Sequence, residues 1–109
     1  MFHEKLICYQ GLVGIAPKLH KLAVSLPTGY NYLADQLKRA LASAILNLAE
    51  GNAKFTPKER RRFFITSRGS IAEVAAILDV FEVYNLISEK ISLEYKKELG
   101  KYFAMISNL

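Results

Sequence analysis

The chain has 109 residues, of which 51% are hydrophobic and 23% charged, and carries a net charge of +5. This is one domain with enough apolar side chains for a core, and it excludes a disordered, low-complexity or collagen-like chain. No stretch reaches the ~18 apolar residues of a membrane span, and the opening residues lack the apolar segment of a secretory signal, so the expected compartment is the cytoplasm.

The first predicted helix runs from about Glu4 to Leu26, with Leu12, Ile15, Leu19, Leu22 and Leu26 at steps of three and four. Pro17 lies inside it and predicts a kink or a break near Gly14. Pro27-Thr28-Gly29 is a turn. The second helix spans about Tyr32 to Ala49 or Glu50, with Gly51 placed to terminate it. Leu33, Leu37, Ala40, Leu41, Ala44 and Leu48 form its apolar face. Beside that face runs a polar stripe of Gln36, Arg39, Ser43, Asn47 and Glu50. The remaining arc holds Ala42, Ile45, Leu46 and Ala49, so little of this helix is left for water. Oligomerisation through that small, apolar arc is the economical expectation.

The third helix opens with Thr56 as N-cap, Pro57 at the first helical position and Glu59 completing a capping box. Phe64, Ser67, Ile71, Val74, Leu78 and Phe81 then form a seam. Gly69 inside this helix costs ~1 kcal/mol relative to Ala, which the close approach of another backbone would offset. A break from Asn85 to Ser92 follows, and the fourth helix runs from an N-cap at Ser92 to about Ser107. Leu99, Tyr102, Phe103 and Ile106 are expected to face inward, and Lys96, Lys97, Glu98 and Lys101 outward. No segment alternates as a strand does. The fold class is all-α: one antiparallel up-down four-helix bundle over residues 1–109.

Cys8 is alone and His3 and His20 are the only histidines, so no disulfide, metal site or cofactor site is expected. Cys8 reads as an apolar packing residue. No phosphate loop, nucleophile elbow or other catalytic constellation is present, and no enzyme activity is expected.

Charge is uneven along the chain. Residues 1–70 hold 11 basic and 4 acidic residues, and residues 71–109 hold 4 and 6. The excess peaks at Lys54, Lys58, Arg60, Arg61, Arg62 and Arg68, against Glu59 alone. Cations at a helix N-terminus oppose the helix dipole, so local helix energetics does not ask for them. The free N–H groups there also attract anions. Arg61 and Arg68 share a face, and Phe55 adds an aromatic. This is a phosphate-attracting corner, with Lys38, Lys54, Lys58, Arg61 and Arg62 as candidate nucleic-acid-binding residues and no signature of sequence-specific readout.

If the second and third helices are antiparallel, positions summing to about 108 lie opposite one another, which brings Arg39 near Glu73. An Arg39–Glu73 pair, partly buried, is expected. The stripe Gln36, Arg39, Ser43, Asn47 and Glu50, with Arg68 and Glu73 across from it, is weighted as structural above catalytic, since no histidine or metal set accompanies Glu50.

Gln36–Ala40, Ser43-Ala44-Ile45, Asn47–Gly51, Arg68-Gly69-Ser70 and Glu73, with Tyr9-Gln10 and Leu26-Pro27, resemble the bacterial four-helix-bundle family named for proteins encoded in 23S rRNA intervening sequences. The same superfamily includes the accessory variability determinant of diversity-generating retroelements. The resemblance implies an antiparallel bundle that assembles as a homopentamer. In the retroelement branch it implies nucleic-acid binding and partnership with a reverse transcriptase. The Arg60-Arg61-Arg62 run and Pro17 depart from the family pattern. The expected function is a non-enzymatic, homo-oligomeric bundle that binds nucleic acid, RNA or DNA, through phosphates. The alternative is a protein-interaction scaffold without direct nucleic-acid binding.

Overall fold

The apolar positions at steps of three and four turn inward along four helices. The computed structural model describes residues 2–109, as α1 (Phe2–Val24), α2 (Asn31–Ala53), α3 (Pro57–Val83) and α4 (Glu89–Ser107). Each helix packs against its neighbour in sequence, and α1 closes the ring on α4, with α2 against α3 the largest interface. The bundle measures 45 × 23 × 19 Å. Its long dimension is close to that of α3, whose 27 residues span about 40 Å at 1.5 Å per residue. The core is continuous: Leu12, Ile15 and Leu19 of α1, Leu37 and Leu48 of α2, the whole predicted seam of α3, and Leu99 of α4 are all buried.

Local details depart from the sequence reading in five places. α1 does not break at Gly14. It continues through Pro17 to Val24, because Ile15 and Leu19 on either side are locked in the core while the Pro17 ring stands in solvent. α2 does not stop at Gly51 but runs on to Ala53. Gly51 is buried, and its role is close packing: a Cβ there would lie 2.5 Å from Cε1 of Phe64. At Gly69, by contrast, nothing lies within 4 Å of a would-be Cβ, so no backbone approaches it within the chain.

α4 begins one turn earlier than expected. Ser88, not Ser92, is its N-cap, and the Ser88 hydroxyl accepts from the Ile91 N–H at 3.1 Å. The α3–α4 connection is correspondingly shorter, turned by Asn85 at φ 58°. Ser92 is buried on the core side, and its hydroxyl has no hydrogen-bond partner among the described residues. Leu99, Tyr102 and Ile106 face inward as expected, whereas Phe103 remains 37% exposed.

The α3 start matches its expectation closely. Thr56 Oγ1 accepts from the Glu59 N–H at 3.2 Å, and the hydroxyl donates to Glu59 Oε1 at 3.1 Å.

The two glycines make opposite predictions. Gly51→Ala should lower stability by about 1–3 kcal/mol, because the new methyl must displace the buried Phe64 ring. Gly69→Ala should raise it by up to about 1 kcal/mol through helix propensity alone. Urea denaturation of both variants checks this pair. Equal effects of the same sign would contradict it.

Candidate nucleic-acid interface

The cap at Thr56 starts α3 only three residues after α2 ends, so the first turns of α3 stand at one end of the bundle. Helical geometry then divides the basic run into two faces. Arg60, Arg61 and Arg68 line a concavity of about 530 Å³, closed on its other sides by Lys5 of α1 and the last turn of α4. Lys58 and Arg62 lie on the adjacent face, both exposed. Arg61, between Lys58 and the concavity, joins the two into one basic surface.

The cations of this end are held in different ways. Arg60 donates to the carbonyls of Lys54 and Phe55, at 3.1 and 2.7 Å, and so fastens the α2–α3 turn. Lys54 pairs with Glu50 at 3.4 Å and lies 5.2 Å from the Phe63 ring centroid, which Arg62 also approaches at 5.0 Å. Lys5 stands over the Phe64 ring at 5.8 Å. Arg68 lies over the Phe103 ring at 5.5 Å and donates to Ser107 Oγ at 3.4 Å. Phe55, in the turn that Arg60 fastens, is 95% exposed.

Lys54, Lys58, Arg61 and Arg62 are therefore brought together as expected. Lys38 is not: it lies about 24 Å from Lys54 along α2, since each helical residue advances 1.5 Å. Arg68 is displaced from the structural stripe to the concavity. Lys5 belongs to this end and is not singled out in the sequence reading, and Arg60, counted in the basic run, is not among the candidate binding residues. For Lys5 a signal existed, because it extends the Cys8, Leu12, Ile15, Leu19 spacing and places a cation at the end of a core-facing line.

The polar stripe on α2 divides too. Its middle is structural. Ser43 Oγ and Ser70 Oγ are 2.7 Å apart, and Asn47 Nδ2 donates to the Ser43 carbonyl at 2.8 Å. Gln36, Arg39 and Glu73 face solvent, and Arg39 and Glu73 form no ion pair. The observed register is shifted from the expected one, and α2 runs on to Ala53. Ser43 meets Ser70, and Ser67 Oγ donates to the Ala44 carbonyl at 2.6 Å. This puts Arg39 level with Glu73, but both remain hydrated, where an ion pair contributes little. In the arc beside the stripe, Ile45 and Ala49 are half-buried, Ala42 is exposed and Leu46 is 62% exposed.

These features define an all-helical bundle whose densest cluster of basic residues lies at one end. The chain belongs to the 23S rRNA-intervening sequence protein family, whose family model matches residues 4–108. No curated protein matches it. No helix among the described residues is long and apolar enough to cross a membrane.

Cys8 is buried beneath Tyr102, its thiol 3.8 Å from the Tyr102 carbonyl. Burial pushes this thiol up to about 11 from 9.0, which makes it a poor nucleophile at neutral pH. Burial, with the hydrogen bond to Glu98 at 2.7 Å, pushes the Tyr102 hydroxyl up to about 12 from 10.0.

Two outcomes are expected from this geometry. Arg39→Met and Glu73→Gln, being solvent-facing, should each change monomer stability by less than about 0.5 kcal/mol in urea titrations. Stability should fall as pH rises from 9 towards 11, since the unfolded Cys8 thiol ionises near 9.0 and the folded one only near 11. Tyr102 adds to the decline above 10, its unperturbed value. Denaturation midpoints across this range should drop less steeply for Cys8→Ala.

Proposed function

We propose that this chain is a non-catalytic, homo-oligomeric bundle that binds nucleic acid by its phosphates, with little sequence preference. The observation that carries the reading is the exposed basic surface at the α3 start. Lys58, Arg61 and Arg62 project there without an ion-pair partner among the described residues, next to Lys54 and the 95% exposed Phe55. Cations placed against the helix dipole destabilise the free protein slightly and are relieved by an anion. Backbone phosphates supply such anions along a strand, and an exposed aromatic offers a base a stacking platform. The family name, with its reference to 23S rRNA, supports a nucleic-acid connection.

Leu46, 62% exposed beside Ala42, supports assembly as part of this reading, since association of copies would cover it. Repetition of a weak phosphate surface around an oligomer raises its avidity through effective concentration. The homopentamer and the reverse transcriptase partner belong to this proposal through the resemblance to the retroelement branch. Light scattering should show a multimer, and a clean monomer at micromolar concentration would overturn that part.

Binding should weaken log-linearly with salt, with a slope set by the number of phosphates neutralised. Reversing Lys58, Arg61 and Arg62 to Glu should reduce affinity for unrelated single-stranded sequences by similar factors, because phosphate contacts carry no sequence code. Thermal stability should hardly fall, as acidic residues suit a helix N-terminus. Fluorescence anisotropy against a salt series reads both effects. Unchanged affinity in a folded, assembled triple variant would remove this surface from function and favour a protein-interaction scaffold.

A further inference from the structure

The concavity between the N-terminal turns of α1 and α3 and the last turn of α4 is distinct from the open Lys58–Arg62 face. We infer that it is a phosphate-monoester site that takes the phosphorylated end of a nucleic-acid strand; this rests on the nucleic-acid reading above.

Its lining carries four cations, Lys5, Arg60, Arg61 and Arg68, drawn from helices far apart in sequence. None of them has a carboxylate within 4.0 Å among the described residues, whereas Lys54 and Lys96 elsewhere are paired. Gathering like charges around one hollow opposes folding, and core packing does not require it. A bound anion removes that repulsion. Arg68 is already positioned, held over the Phe103 ring and to Ser107 Oγ, with most of its five donors still available.

Shape and charge number favour a strand end over a strand interior. The hollow is about 530 Å³, within the range of small-ligand pockets, while a continuous backbone follows an open groove. Ile65, 50% exposed at its edge, gives it an apolar surface against which the terminal nucleoside can lie. A terminal monoester carries close to two negative charges at neutral pH, against one for an internal diester. Lys5, Arg61 and Arg68, with Arg60 behind them tied to the α2–α3 turn, therefore discriminate in its favour. Arg61, shared between the hollow and the outer face, connects the end site to the backbone track.

The test uses one single-stranded 12-nucleotide oligomer with an internal fluorophore, prepared with a 5′-phosphate, a 3′-phosphate, or hydroxyls at both ends. At least one phosphorylated form should bind about tenfold or more tightly than the hydroxyl form in anisotropy titrations at fixed salt. Lys5→Met and Arg68→Met should each abolish that preference and leave hydroxyl-ended binding within about twofold. Should Arg68→Met fail to fold by circular dichroism, Lys5→Met carries the comparison. The Lys58→Glu, Arg62→Glu double variant should weaken all three oligomers alike. Equal affinity for the three ends, with binding otherwise intact, overturns the end site and leaves the nucleic-acid reading standing. Absence of binding by all three overturns both. A poly-glutamate peptide that displaces the phosphorylated oligomer at lower concentration than free 12-mer also overturns the proposal, assigning the hollow to an acidic protein segment.

Discussion

The closeness of α2 to α3 fixes the rest of the molecule. Small side chains line the contact, so the two backbones approach near enough for the Ser67 hydroxyl to reach the Ala44 carbonyl at 2.6 Å. Ser43 and Ser70 meet in the same seam, and Gly51 admits the Phe64 ring. Each such hydrogen bond adds only about 0.5–1.5 kcal/mol net, but a buried hydroxyl left without its partner costs more than that. The seam therefore specifies register more than it supplies stability. Because the register holds α2 helical to Ala53, the turn is short, and the arginine-rich start of α3 emerges beside the ends of α1 and α4.

Much of this architecture is legible in the residues. Periodicity located all four helices, and the Thr56-Pro57-x-Glu59 pattern located the α3 start to the residue. Three of the readings that failed share one cause: a local rule meets a distant contact that decides. Gly51 satisfies the rule for a helix terminator, yet the Phe64 ring, on the next helix, requires it as a gap in the helix wall. Ser92 satisfies the rule for a cap, but Ser88 does so one turn earlier, and packing against α3 keeps Ser92 inside. Pro17 breaks helices in isolation, while here the core holds both flanks.

The candidate site was legible in charge and illegible in grouping. Counting cations found Lys54, Lys58, Arg61 and Arg62. It could not separate the face that carries Lys58 and Arg62 from the hollow that carries Arg61 and Arg68, because that division depends on what stands opposite α3. Lys5 entered through the ring closure of α1 on α4, a contact between the two ends of the sequence. Lys38 shares the charge sign but lies along α2 with Arg39, about 24 Å from the cations of the basic end.

One consequence follows from where the chain ends sit. Lys5 and the residues from Ile106 to Leu109 line the same hollow, so anything appended to either end emerges at its mouth. An acidic extension there acts as a tethered competitor at high local concentration, and a basic one extends the surface. The turns joining α1 to α2 and α3 to α4 lie at the far pole, where a reporter or an immobilising handle leaves the basic end open. For this fold, the choice of attachment point is thus itself an electrostatic variable.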